Sequence, residues 1–450
     1  MKTLHRRDSL KTKLIAPALA LASIAAAQNG NYSGLGVLSH GAGDIGAHSG
    51  EQLDLRLFAS VNGIYDTGLQ PFSLDTSGKL LQVNGLAGEE FALGAYGVHS
   101  WKRAQLGLDY RGSYRNYQGG SYYNGSDQTL RLGYSVQPTR KFTVDMRAIG
   151  GTSTVALAGP ATNFAPTADS VVAQPTLLFF DSRTYYLESG LDANFLPTPR
   201  ITITMGGSGY FVDHHANGLV NVQGYTLNGS LMRRLSRETV VGASYLHQHY
   251  DFPGNFGESD INVYTGRISH DFGRRWSSSL SAGAFTAEVA GLQTVSFDPV
   301  IAALLGVPSG IQAFHRKSIY PAGDARLQRK FRTSEMQLGY SVGVTPGNGV
   351  YLTSRQQSGY ATFSYTGVRK WAFSIGGIYG KLSSIGQGIA PYTQKSGSAG
   401  ATYTILKSVS AVARFDARDQ SVDVHGYLRT SYRATLGFTF SPGTIPVSLW

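Results

Sequence analysis

The sequence predicts an all-β protein, a transmembrane antiparallel up-and-down β-barrel of about 18 strands, with roughly 16–20 as the range. Three observations carry that prediction. After residue 27 helical periodicity is nearly absent, and apolar residues recur at every second position in runs of about ten to twelve, the length a tilted membrane-crossing strand needs. Very short turns with basic or proline-bearing tips alternate with longer, varied connections. Charged residues make up only 15% of the chain, where a water-soluble domain carries about a quarter. Part of the surface is therefore expected to face something other than water.

The N-terminus, MKTLHRRDSLKTK, is basic and polar, and LIAPALALASIAAA follows it. A basic region, an apolar stretch too short to span a bilayer and the small residues Ala25, Ala26 and Ala27 together predict a cleavable signal peptide over 1–27, with the mature chain beginning near Gln28. Arg6, Arg7, Leu10 and Lys11 resemble a twin-arginine export motif, although Ser9 stands where Phe is usual. An ordinary basic leader is the plainer reading. No other segment approaches the roughly 20 consecutive apolar residues of a transmembrane helix. Residues 28–50 are expected to form a flexible periplasmic segment. With no cysteine, the chain has no disulfide to hold it.

The net charge is +11. Lys2, Arg6, Arg7, Lys11 and Lys13 lie in the leader against Asp8, so the mature chain is nearer +7, four less. That modest excess, without a recognisable motif, argues against nucleic acid as a partner.

The barrel is expected over 51–440, starting with a strand at about 52–65. In RAQLGLDYRGSYR, Ala104, Leu106, Leu108 and Tyr110 fall on one face, and Arg103, Gln105, Asp109, Arg111 and Arg115 on the other. TLRLGYSV sets Leu130, Leu132, Tyr134 and Val136 against Arg131 and Ser135; KFTVDMRA sets Phe142, Val144 and Met146 against Lys141, Asp145 and Arg147. SEMQLGYSVGV, KWAFSIGGIYG and SVSAVARFDAR repeat the pattern. The turns HSWKR, QPTRK, LPTPR, RLSRE, FGRRW, KFRTS, GVRKW and LKSV sit near residues 101, 139, 198, 236, 274, 332, 370 and 407. Eight short turns join sixteen strands in pairs; one strand before them and one after, at 430–440, make eighteen. The turn spacing near 38 also suits a propeller of about 40-residue repeats. A blade needs four short strands per repeat, however, and each interval here holds two long ones.

The last strand, YRATLGFTF, places Tyr432, Ala434, Leu436, Phe438 and Phe440 on one face and Arg433, Thr435, Gly437 and Thr439 on the other. It resembles the C-terminal signature strand of Gram-negative outer-membrane β-barrel proteins. The tail 441–450, SPGTIPVSLW, departs from that pattern, which normally ends the chain, and is expected as a periplasmic tail with Trp450 as a further recognition residue. The resemblance implies residence in the cell outer membrane among its lipid, delivery by periplasmic chaperones and insertion by the barrel-assembly machinery, with Tyr432, Leu436, Phe438 and Phe440 as the assembly signal. It implies a porin-like pore for small solutes, passive or substrate-selective. An export channel for an acidic exopolysaccharide is the alternative, and a non-conducting adhesin or structural barrel a further one. It implies neither an enzyme nor a cofactor; the oligomeric state is left open.

Parity assigns Arg56, Arg103, Asp109, Arg111, Arg131, Asp145, Arg147, Arg267, Arg326, Lys330, Arg414 and Arg433 to the pore lining. The basic excess among them favours anions, unless cross-strand pairing with acids merely braces the wall. In SFDPVIAALLGVPSG, Asp298 is a candidate N-cap, Pro299 suits the first helical position and Gly306 the end. That short helix, with Ile301, Leu304 and Leu305 as its apolar residues, is expected either to fold inward as a constriction or plug or to pack over the rim. His214, His215, His247 and His249 are expected near one another on the extracellular rim, where they either ligate a transition metal or, on the plainer reading, stay solvated. No hydrolase, zinc-protease or phosphate-loop motif occurs.

Overall fold

The computed structural model describes residues 53–67, 85–119, 124–153, 183–215, 219–254, 257–273, 275–296, 309–422, 427–442 and 444–445. Within them one antiparallel sheet closes on itself. Its strands are β1 (Leu53–Asp66), β2 (Leu86–Ser100), β3 (Ala104–Tyr117), β4 (Gly125–Thr139), β5 (Phe142–Ser153), β6 (Thr184–Thr198), β7 (Ile201–His214), β8 (Val222–Arg234) and β9 (Thr239–Phe252). Then follow β10 (Gly257–Phe272), β11 (Trp276–Ser296), β12 (Ser309–Lys330), β13 (Ser334–Thr345), β14 (Ser354–Tyr365), β15 (Trp371–Ser384), β16 (Tyr392–Leu406), β17 (Val409–Val422), β18 (Tyr427–Phe440) and β19 (Thr444–Ile445). β19 holds only two residues. The wall is thus eighteen strands of 12 to 22 residues, the number that the turn spacing predicts. Among the described residues there is no helix.

Each strand pairs with the next, and β1 closes the ring on β18, from Ala59 opposite Phe440 to Asp66 opposite Arg433. Closure leaves no sheet edge running through the wall, which backbone groups in hydrocarbon require. All eight expected short turns fall at one end of the barrel, where β1 also begins and β18 ends. Two long strands, not a four-stranded blade, separate successive turns, which removes the propeller alternative. The tail does more than trail away: Thr444 and Ile445 return to pair with Arg56 and Leu55 of β1.

The faces are inverted relative to a water-soluble protein. Leu436 is 69% exposed and Met205 65%, whereas Arg115 is 0% and Arg433 5% exposed. Apolar side chains point out and polar ones in, as a barrel in lipid demands. At the short-turn end, Trp101, Phe272, Phe331 and Trp371 are exposed outside. There the Arg329 guanidinium lies 4.5 Å from the centre of the Trp276 ring and 4.2 Å from that of Phe331. Tyr65, Tyr114, Tyr185, Phe211 and Tyr225 are exposed nearer the long-loop end. Aromatic girdles at both ends suit the two interfaces of a membrane.

The apolar-out rule fails most extensively in one sector, beyond single inward residues such as Ile64, Tyr96 and Tyr117. Tyr210, Val222, Tyr250, Phe252, Ile261, Phe285 and Val289 face inward from β7–β11 and are buried. What covers them positions the candidate site.

Candidate functional site

Two connections at the long-loop end turn into the lumen: residues 346–353, between β13 and β14, and 385–391, between β15 and β16. The β12–β13 ladder stops at Gly323 opposite Val342, while β13 and β14 stay paired to Thr345 and Ser354. Freed from β12, this hairpin leans inward, so that Val344, on the outward parity, packs against the inner-wall cluster. Gly347 and Gly349 adopt φ of 89° and 87°, a left-handed conformation that costs other residues about 1–2 kcal/mol. A Cβ at Gly349 would also lie 3.0 Å from His214 Cδ2, so the missing side chain permits the close approach. The Asn348 side-chain oxygen accepts from the amides of Val350, at 3.3 Å, and Tyr351, at 3.1 Å, closing the turn.

The loops are tied to the wall and to each other. The Val220 amide, beside β8, donates to the Gly349 carbonyl at 2.9 Å, and Thr353 meets Ser259 of β10 hydroxyl to hydroxyl at 2.5 Å. The Ile385 amide donates to the Thr353 carbonyl at 2.9 Å. Leu352 donates its amide to Gln387 Oε1 at 3.0 Å, and the Tyr351 hydroxyl donates to the Ala390 carbonyl at 2.6 Å. Leu352 and Ile385 pack on the apolar inner sector. Tyr351, Leu382 and Tyr392 form a second buried cluster behind them. Each large apolar side chain so buried contributes about 1.5–3 kcal/mol, which holds the loops as part of the fold.

Charged and polar pairs dominate the β2–β6 and β17–β18 sectors of the inner wall, with Tyr96 and Tyr117 buried among them. Arg111 donates to Asp109 at 3.0 and 3.4 Å. Arg147 reaches Asp192 at 2.6 Å, and Asn194 donates to Asp145 at 2.7 Å. Arg414 pairs with Asp416 at 2.7 Å, Arg326 stands 3.7 Å from Asp324, and Arg433 reaches Glu90 at 2.7 Å. Arg267 faces inward on β10, by its alternation with exposed Tyr264 and Ile268. Arg131 differs. It is directly across the ladder from Asp109, whose carboxylate is held by Arg111. Among the described residues it makes no ion pair and no hydrogen bond.

Several expected placements change. Arg103 lies in the β2–β3 turn, exposed, donating to the Pro138 carbonyl at 3.3 Å; the strand begins one residue later, so it lines no wall. Lys330 is the last residue of β12 and sits exposed at the short-turn rim. The backbone of Arg56 lies in β1, and its side chain is outside the described set. So are the expected plug, with Asp298, Pro299, Ile301, Leu304 and Leu305, and the terminal Trp450. Tyr432, Leu436, Phe438 and Phe440 are exposed on the outer face of β18.

The histidines do not converge. His214 is buried on the inner face, its Nδ1 3.2 Å from Thr184 Oγ1, while exposed His215 meets the Tyr185 ring edge-on. His247 and His249 lie against exposed Tyr225 on the outer face, and His249 Nδ1 is 2.9 Å from Asp260. Alternation along β7 puts His214 alone inside the wall, while His215 lies outside against β6 and His247 and His249 outside against β8. No group of three or more His, Asp or Glu among the described residues is placed to hold a metal ion.

The lumen loops are what sequence reasoning missed. Their signal was present, in the Gly-x-Gly pairs of TPGNGVYL and SIGQGIAPY, each beside apolar residues in an otherwise polar connection.

No protein-family model matches the chain, and no curated protein matches it. Solved structures do resemble it. Acinetobacter baumannii OccAB4 is 12% identical over 88% of this chain and 100% of its own, with a TM-score of 0.41. Pseudomonas aeruginosa OccK2 (OpdF) is 11% identical over 86% and 98%, at 0.42. Pseudomonas aeruginosa OpdQ is 11% identical over 87% and 98%, at 0.41.

Proposed function

We propose that the chain is an outer-membrane pore through which small, water-soluble solutes cross, with anionic or sugar-like solutes favoured. The observation that carries this is the division of the lumen. An apolar wedge fills the β7–β12 sector, while paired charges line the β2–β6 and β17–β18 sectors, leaving the polar side as the water path. The apolar exterior with its two aromatic girdles supports insertion in a membrane. The leader over 1–27 and the signature strand 432–440 support export and assembly into the outer one by the barrel-assembly machinery and periplasmic chaperones.

Anion preference rests on Arg131. Paired cations contribute little net field, whereas a guanidinium on the path with no ion pair among the described residues does. A unit charge about 6 Å from the path, in water, contributes about 0.7 kcal/mol, or about threefold in local anion concentration. The test is single-channel conductance of the refolded protein in a planar bilayer under a salt gradient. Steady, anion-preferring steps are expected, and Arg131→Gln should lower the anion-to-cation permeability ratio about threefold without changing the fold. Silence from a folded barrel would mean a closed lumen and would overturn the pore; unchanged selectivity in the variant would remove Arg131 from the path.

A further inference from the structure

Three outward-facing rows cross β10–β13 near the short-turn end. Ile268, Leu280, Ala325 and Tyr340 form the row nearest the middle of the wall, and His270, Ser278, Leu327 and Leu338 the next. Phe272, Trp276, Arg329 and Met336 close the series at the rim. Ser278 and Ala325 are small among large neighbours, and a groove of about 690 Å³ lies over them, walled by Ile268, Leu280, Leu338 and Tyr340. The rim end of this groove carries a charge. The Arg329 guanidinium is set between two rings, 4.5 Å from the centre of Trp276 and 4.2 Å from that of Phe331. Among the described residues its Nε is buried without a hydrogen-bond partner, and the side chain makes no ion pair. Asp271 and Glu335, the carboxylates on these strands at that end, alternate to the inner face, and Glu335 already accepts from Gln328 and Gln337. Further cations stand close by. Arg275 and Arg332 are exposed in the two adjoining turns, and the amide of exposed Lys330 joins those turns by donating to the Arg275 carbonyl at 2.8 Å.

We propose that this groove binds an anionic phospholipid of the leaflet at the short-turn end, with one acyl chain lying in the groove and the phosphodiester on Arg329. Aromatic rings on both faces hold the guanidinium in place. Its edge keeps N–H donors for the two free oxygens of a phosphodiester, which accept them as a charge-assisted pair. Arg275, Lys330 and Arg332 add positive potential at the level of the headgroup, which favours a net anionic lipid over a zwitterionic one. An anion drawn from solution would need only the cations. The apolar groove, open to hydrocarbon and continuous with the charged rim, selects an occupant that carries a chain. The protein's own acids are few on this side. The chain outside the described wall at this end continues from β1 and β18, which stand across the ring from β10; residues 28–52 hold Asp44 and Glu51 as their acids, and 446–450 hold no acidic side chain. The inference rests on the membrane-inserted barrel proposed above and is independent of conduction.

The test uses the full chain in dodecylmaltoside micelles with phosphatidylglycerol or phosphatidylcholine brominated on the acyl chains, because bromine quenches a nearby tryptophan and Trp276 borders the site. Trp101→Phe, Trp371→Phe and Trp450→Phe together leave Trp276 alone of the four tryptophans. Heat-dependent gel mobility reports folding of each variant. Conductance is read separately, so a failed pore is distinct from a failed site. Saturable quenching is expected, with phosphatidylglycerol favoured about tenfold, and Arg329→Gln should cut that preference about fivefold. Ala325→Phe fills the groove and should weaken quenching by both lipids. Excess inorganic phosphate should not displace the lipid. Should the triple variant fail to fold, the difference in quenching between the wild type and Trp276→Phe reads the same site; should Ala325→Phe fail, Arg329→Gln and the two headgroups still decide. Equal quenching by the two lipids, an unchanged result in either folded variant, or displacement by phosphate would overturn the proposal. So would a dimer that Ala325→Phe disperses, by seating a second copy in the groove.

Discussion

Arg433 reaches past its neighbour. It stands on β18, and the carboxylate it binds, Glu90 at 2.7 Å, stands on β2, so the bond passes over β1 and the line where the barrel closes. Glu90 is also 3.5 Å from Arg115, which pairs in turn with Asp127. The network ties β18, β2, β3 and β4 together across the seam. Beside it, Thr67 and Tyr432 exchange two bonds: the Thr67 amide donates to the Tyr432 carbonyl at 2.9 Å, and the Tyr432 amide donates to the Thr67 hydroxyl at 2.8 Å. Removing one partner of a buried pair costs about 3–5 kcal/mol, much of it because the other charge is left uncompensated. Arg433→Met is therefore expected to lower the temperature at which the folded band is lost in a heated gel, and adding Glu90→Gln should restore part of the loss. A single variant as stable as the wild type would show that the pair does not hold the seam.

At the scale of elements, the inward loop 346–353 follows from the shape of its turn. Gly349 must hold φ near 87° with its carbonyl on the Val220 amide and its bare α-carbon against His214. Gly349→Val adds a strain of about 1–2 kcal/mol and a branched side chain where a single Cβ is already tight. The loop is expected to lift from the β7–β10 sector, giving larger and noisier conductance steps at unchanged heat stability of the wall. Steps of the same size would place the narrowest point elsewhere. The eight short turns and the last strand were legible in the sequence, because a period-two run broken by a basic or proline tip is a local signal. The loop's destination was not, since Ser259 and Thr353 are 94 residues apart and no local pattern records that they meet. Parity likewise names the face of Arg111 but not its partner, which proves to be Asp109 two residues along the same strand. Inward Tyr210, Tyr250 and Phe285 break the apolar-out rule, and those exceptions were the readable hint that something apolar must cover them.

On the scale of the whole molecule, stability depends on the closing seam, because every other strand pair is joined by a connection in the chain. The β1–β18 ladder covers only Ala59 to Asp66, while β1 meets β2 as far back as Leu53. The lower part of β1 thus has one edge that β18 does not reach. β19 covers it, with Ile445 opposite Leu55 and Thr444 opposite Arg56, and Ser441 adds a bond from its hydroxyl to the Leu57 carbonyl at 3.0 Å. At about 0.5–1.5 kcal/mol for each bond, a chain ending at Ser441 should lose about 2 kcal/mol. Measured on refolded protein, which removes any role of the tail in export or assembly, the heat-gel midpoint is expected to fall by a few degrees. Arg433 and β19 brace opposite ends of the same seam and share no partner, so their losses should add to within about 0.5 kcal/mol if each strengthens closure locally. A combined loss well beyond the sum would mean that the seam opens as one cooperative unit, with either brace able to hold it shut.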